Sequence, residues 1–219
     1  ELIKFYSGKI VEFLLGFDAK IILIACNSAS ASAYETLREE FKDKVIMIDV
    51  IDPVVESLPK RKFRKIGIIG TKRTISSGTY ELKIREKSPE TVVVSLATPL
   101  LVPMIEEGFI YDDISNAIIR TYLSDSSLAG IEALVLACTH YPLIKNQIRK
   151  FFDFNVEVID SSATVSAMLK SILENKNLLN DSGIAKDMFF VSDYTTYFEK
   201  IARMFFEGEI NLSKADIWS

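Results

Sequence analysis

Short apolar runs alternate with amphipathic stretches from one end of this 219-residue chain to the other. Seven runs read as strands: Lys20–Cys26, Val45–Ile51, Lys65–Gly70, Thr91–Leu96, Ala133–Cys138, Val156–Asp160 and Met188–Ser192. Most are continuously apolar and rich in Ile and Val, which is the pattern of strands buried on both faces of a parallel sheet. Between them, Ile114, Ala117, Ile118 and Tyr122 recur at helical spacing, as do Phe198, Ile201, Ala202 and Phe205. Thr74 and Ser161 or Ser162 are expected helix N-caps directly after strand ends. This alternation predicts an α/β fold with mainly parallel sheets.

A weak internal repeat divides the pattern. Gly16-Phe-Asp-Ala-Lys-Ile-Ile-Leu-Ile-Ala-Cys26 is similar to Gly130-Ile-Glu-Ala-Leu-Val-Leu-Ala-Cys138. Each copy runs from a glycine turn through an acidic residue and an aliphatic strand to Ala-Cys. The separation is too long for a solenoid and suits two related lobes. Ligands of open α/β sheets bind outside the carboxyl ends of the strands, where both Ala-Cys pairs sit. If the lobes face each other, so do the two thiols.

These are the only cysteines in the chain. A cysteine after an apolar run is by default a small buried hydrophobe. Here both occupy equivalent places in a repeat, and each is followed by compact hydrogen-bonding side chains. Asn27, Ser28 and Thr139 are suited to binding a carboxylate, and a helix starting near Ser28 adds backbone N–H groups and a favourable dipole. His140, the sole histidine, stands two residues from Cys138 and is placed to hold or exchange a proton with the substrate or with Cys138. One His and two distant Cys do not make a zinc site, and no metal is expected. Gly67–Thr74 reads as a turn into a capped helix, since it lacks the spacing of a phosphate-binding loop. Glu106 and Glu107 lie beside a turn ending at Gly108, by default a solvated acidic corner.

Charge and composition narrow the class. The net charge is −4, and the densest basic cluster, Lys60 to Lys65, reads as a solvated linker rather than a nucleic-acid surface. No apolar run is long enough for a membrane helix. Two cysteines in a chain of this size point to free thiols in the cytoplasm rather than a disulfide scaffold.

Ile24-Ala-Cys-Asn-Ser-Ala-Ser30 and Leu134-Val-Leu-Ala-Cys-Thr-His-Tyr-Pro-Leu143 resemble the paired signatures of glutamate racemases, within the aspartate/glutamate racemase superfamily. Ile68–Thr74 with Ser77 and Tyr80, Pro99–Gly108 and Val158–Ser161 match the same pattern in order, so the resemblance spans essentially the whole chain. It implies a two-lobed α/β enzyme with its site in the cleft between lobes, interconverting L- and D-glutamate without pyridoxal phosphate, metal or other cofactor. By position, Cys26 and Cys138 are the two acid/base residues, and Asn27, Ser28, Thr139 and His140 contact the substrate. Glu106 matches a carboxylate that assists proton transfer. The resemblance further implies a homodimer that supplies D-glutamate to bacterial peptidoglycan. Residues 1–51 with 160–219 form the expected first lobe, and residues 52–159 the second.

Ser28 stands where the family usually has threonine, and Ala137 where it has glycine. The family opens with a strand carrying Asp-Ser-Gly-x-Gly-Gly, followed by a Pro-Tyr-Gly segment, and neither occurs here. Glu1–Leu15 matches the helix just after them, so further residues are expected before Glu1, the missing strand of the first lobe among them. The alternatives are an aspartate racemase of the same superfamily, a two-lobed amino-acid-binding protein without catalysis, and a catalytically inactive relative.

Overall fold

The continuous apolar runs form parallel strands, and those before residue 160 are each followed by a helix. The computed structural model describes residues 1–180, 182–183, 186–194, 202 and 211–218. In chain order the elements are α1 (Leu2–Leu15), β1 (Ile21–Ile24), α2 (Asn27–Glu40), β2 (Ile46–Asp49), α3 (Asp52–Ser57), β3 (Lys65–Gly70), α4 (Lys72–Ser76) and α5 (Thr79–Lys87). They continue as β4 (Val92–Ala97), α6 (Leu101–Glu106), α7 (Asp113–Leu123), β5 (Ala133–Ala137), α8 (Lys145–Phe151), β6 (Glu157–Ile159), α9 (Ser161–Asn175), β7 (Phe189–Val191) and β8 (Leu212–Lys214).

The strands build three sheets, all parallel: β1-β2, then β4-β3-β5-β6, then β7-β8. All seven expected strands form. β1 and β2 stop two residues early, because the chain must already turn into α2 and α3. β8 was not anticipated; its Leu212-Ser-Lys214 carries too little apolar content to read as a strand.

In the four-stranded sheet the chain runs from β3 outward to β4, then returns past β3 to β5 and on to β6. The winding direction therefore reverses between β3 and β5, and a crevice opens there at the carboxyl ends of the strands. Gly70 ends β3 and Ala137 ends β5, paired in register.

Residue alternation along β3 and β5 sorts their side chains into two cores. Ile66, Ile68, Ala133, Val135 and Ala137 pack with Val54, Tyr80 and Ile84 on one face. Ile69, Leu134, Leu136 and Cys138 pack with Leu101, Ile105, Ile119 and Tyr141 on the other. Ile66, Ile68, Ile69, Leu134 and Leu136 are fully buried, each contributing roughly 1.5–3 kcal/mol by leaving water. A third core joins β1 and β2 to α1 and α2 through Val11, Ile22, Ile24, Leu37, Phe41 and Met47. Phe13 of α1 also meets Phe190 of β7, with ring centroids 5.2 Å apart.

Three local expectations change. Thr71, not Thr74, caps α4, its Oγ1 accepting the Thr74 backbone N–H at 3.2 Å. Asp160, one residue before the expected serines, caps α9 by accepting the Ser162 N–H at 2.9 Å. On α7 the packed face carries Ile118, Ile119, Tyr122 and Leu123, while Ile114 and Ala117 face solvent. The helical spacing of Phe198, Ile201 and Phe205 lies outside the described residues. The basic segment is exposed at Arg64, yet Arg61 pairs with Glu157, and Arg64 with Glu132 at 2.8 Å. Among the described residues, no helix is long and apolar enough to cross a membrane.

Candidate active site

Both cysteines lie just past strand carboxyl ends, and both are free thiols. Cys26 holds extended backbone (φ −85°, ψ 123°) and is the N-cap residue of α2. Its carbonyl accepts the Ser30 N–H at 2.8 Å. Cys26 makes no side-chain cap bond to α2, so among the described residues the first N–H groups of this 14-residue helix can serve an anion beside an exposed thiol.

The next two residues tie α2 to α5 and to the start of α4. Asn27 is 2% exposed; its Oδ1 accepts the Tyr80 phenol hydrogen at 2.7 Å. Its Nδ2 is buried and has no hydrogen-bond partner among the described residues. Ser28 Oγ lies 2.8 Å from Thr71 Oγ1 and 3.0 Å from Thr74 Oγ1, and the two threonine oxygens are 3.1 Å apart. This hydroxyl triangle sits at the crevice end of β3.

Behind it, Asp49 ends β2 and is 1% exposed. Its two carboxylate oxygens accept the Ile51 and Asp52 backbone N–H groups at 3.1 and 3.0 Å. Burial, and then the neighbouring Asp52 charge, push its pKa up to about 6 despite those bonds.

Cys138 follows β5, on the far side of the switch point. It is 7% exposed. Burial is the main cause that pushes its thiol up to about 11. Backbone N–H groups of His140 and Tyr141 pull the other way, while the negative charges of Cys26 and Glu106 raise it further.

From Cys138 a polar chain leads outward: Sγ is 3.8 Å from His140 Nδ1, and His140 Nε2 is 3.1 Å from Glu106 Oε1. Glu106 is the last residue of α6, followed by a turn in which Gly108 takes a positive φ of 84°. Thr139 is exposed between them. Tyr141 is fully buried and pins the loop, its hydroxyl 2.6 Å from Thr98 Oγ1.

The structure therefore brings the expected residues into two clusters, Cys26-Asn27-Ser28 at the start of α2 and Cys138-His140-Glu106 after β5. Reasoning from sequence gave no site role to three contributors, Thr71, Thr74 and Tyr80, although all three fall in segments that match the family pattern. The first two lie in the Gly67–Thr74 turn, read there as a helix entry. Tyr80 matches the family pattern, but nothing in its neighbourhood along the chain indicates its bond to Asn27. Among the described residues, no group of three or more His, Cys, Asp or Glu side chains is arranged to hold a metal ion.

The fold and site define a parallel α/β protein with a buried thiol beside a His–Glu pair at one strand end and an exposed thiol at a helix start after another. The chain belongs to the Asp/Glu/Hydantoin racemase family of isomerases, whose model matches residues 9–169. The glutamate racemase of Persephonella marina is 39% identical over 219 residues, covering 99% of this chain and 81% of that protein. That of Geobacter metallireducens is 35% identical, covering 96% and 78%. The crystal structure of glutamate racemase from Francisella tularensis in complex with D-glutamate superposes with a TM-score of 0.92 at 36% identity, over 99% of this chain and 81% of that one. A Bacillus anthracis glutamate racemase isoform gives 0.91 at 31% identity, over 98% and 80%.

Proposed function

We propose that this protein interconverts L- and D-glutamate without a cofactor, with Cys26 and Cys138 as proton-transfer groups on opposite faces of the substrate Cα. The observation that carries this reading is the linkage of the two strand ends: Ser28, two residues after the exposed Cys26, bonds Thr71 and Thr74 at the end of β3, and the last residue of β3, Gly70, pairs with Ala137 directly before the buried Cys138. In one direction a thiolate removes the α-proton and becomes a thiol. The opposite thiol delivers its proton to the other face and becomes a thiolate. The reverse reaction exchanges the roles.

The α-proton is weakly acidic, so the carbanionic intermediate requires preorganised donors. Asn27 Nδ2, the Ser28 and Thr139 hydroxyls and the first N–H groups of α2 bind the substrate carboxylate. Thr71 and Thr74 hold Ser28 in place. His140 Nδ1 faces the Cys138 sulfur and carries a proton to or from it, while Glu106 orients the ring through Nε2. In this reading residues 1–51 with 160–219 form one lobe and 52–159 the other, and the cleft between them closes over the substrate.

Glutamate is favoured as the substrate because relatives that cover nearly all of this chain carry that name, and one was crystallised with D-glutamate. We extend the proposal to a cytoplasmic homodimer that supplies D-glutamate for peptidoglycan. Cys26→Ala and Cys138→Ala are each expected to abolish racemisation, measured polarimetrically from either enantiomer. Near-normal interconversion by either variant would sink the two-thiol mechanism. Loss of α-deuterium from glutamate in water, compared with aspartate, tests the substrate: faster washout from aspartate overturns the assignment.

A further inference from the structure

Asn27 is buried with one half of its amide used and the other half buried without a hydrogen-bond partner among the described residues. An amide can be rotated to exchange its oxygen and nitrogen, and the two orientations have opposite chemistry. Nδ2 facing a ligand offers two N–H donors to a carboxylate; Oδ1 facing it repels one. The choice is made by Tyr80, which reaches Asn27 from 53 residues further along the chain.

The Tyr80 ring is locked in the core with Ile66, Ile68, Val135 and Ile84, so its hydroxyl has little freedom to follow a rotated amide. Among the described hydrogen bonds, Asn27 Oδ1 is the acceptor of its phenol hydrogen. Rotating the amide would let Nδ2 donate to the phenol oxygen in place of the present bond, but it would strand the phenol hydrogen and leave the buried carbonyl oxygen without a donor, a net cost in a dry site. Burial first, and the Asp49 charge second, raise the phenol pKa well above its ordinary value, so the hydrogen is retained at any working pH.

We propose that Tyr80 is a positioning residue: it holds the Asn27 amide with Nδ2 toward the substrate carboxylate and excludes the orientation that would present an oxygen. This rests on the reading of Asn27 as a substrate contact. It also makes carboxylate recognition depend on how α5, packed on the four-stranded sheet through Tyr80 and Ile84, is seated relative to Asn27 at the start of α2.

The test is a double-mutant cycle of Tyr80→Phe and Asn27→Ala, with KM and kcat for glutamate racemisation and the melting temperature of all four proteins. Tyr80→Phe alone is expected to raise KM about tenfold, the scale of one hydrogen bond's worth of orientation, with a smaller change in kcat. In the Asn27→Ala background it is expected to change KM less than twofold, since no amide remains to orient. An unchanged KM in Tyr80→Phe overturns the proposal, as does an equal rise in both backgrounds, which would mark a structural effect independent of Asn27. If Asn27→Ala itself leaves KM unchanged, the substrate-contact reading fails, and the proposal with it.

Discussion

Alkylation at neutral pH separates the two thiols, and the size of the effect follows from the burial of Cys138. Its pKa rises from 9.0 to about 11, so near neutral pH its thiolate fraction is about 100-fold below that of an unperturbed thiol. A more basic thiolate is also the better nucleophile, and a Brønsted slope of about 0.45 returns roughly eightfold. Ionisation alone leaves Cys138 reacting about tenfold more slowly than a solvated thiol. Restricted access at 7% exposure lowers this further, whereas Cys26 is open to solvent. The assay is a time course with iodoacetamide, quenched and read by peptide mass spectrometry at each cysteine across a pH series. Cys26 should be carbamidomethylated first. The Cys138 rate should keep climbing about tenfold per pH unit beyond pH 9 and level off only near 11. Equal rates at the two cysteines at neutral pH, or a Cys138 profile already flat at pH 9, would refute the argument that burial keeps this thiol protonated. The outcome bears on mechanism, because a Cys138 that rests as a thiol starts the reaction as the proton donor.

Two further substitutions probe the surroundings of the site. Asp49 has a folded-state pKa raised from 3.8 to about 6, so its stabilisation is fully present below 3.8 and is lost as pH rises through about 6, a swing of roughly 3 kcal/mol. Asp49→Asn removes that cost but keeps only one of two acceptors. It should be more stable than the parent by about 1–2 kcal/mol in urea denaturation near pH 8 and should lose the advantage near pH 4; an advantage independent of pH would contradict the assignment. Tyr141→Phe deletes a buried hydroxyl 2.6 Å from Thr98 Oγ1 and should cost about 1–2 kcal/mol by the same measurement, with no loss indicating that the Cys138 loop is held by packing alone.

Much of the architecture was legible in the residue pattern. Continuous Ile/Val runs such as Lys65–Gly70 and Ala133–Ala137 have no polar face to show water, so they can only be interior strands of a parallel sheet. The repeat around Cys26 and Cys138 placed both thiols past strand ends, where they are found. The caps were harder: Thr71, Thr74, Asp160, Ser161 and Ser162 are all competent capping residues. The choice among them turns on the residue at which the backbone leaves the strand. On α7, Ile114 fits the apolar spacing as well as Ile118 does, and only the position of β5 and α8 decides which is covered.

Composition and periodicity therefore determined the fold class, the strand positions and the candidate thiols, because these depend on interactions among residues close in the chain. Tertiary structure alone decided what each thiol is. Cys26 is exposed because β1 ends two residues before it and α2 starts one residue after it. Cys138 is protonated because strand alternation turns it into the core beside Leu134 and Leu136, where a charge is poorly solvated. The contacts that complete the site, Ser28 to Thr71 and Thr74 and Asn27 to Tyr80, span 43 to 53 residues. Contacts of that span exist only once the sheets are packed, and no local pattern records them.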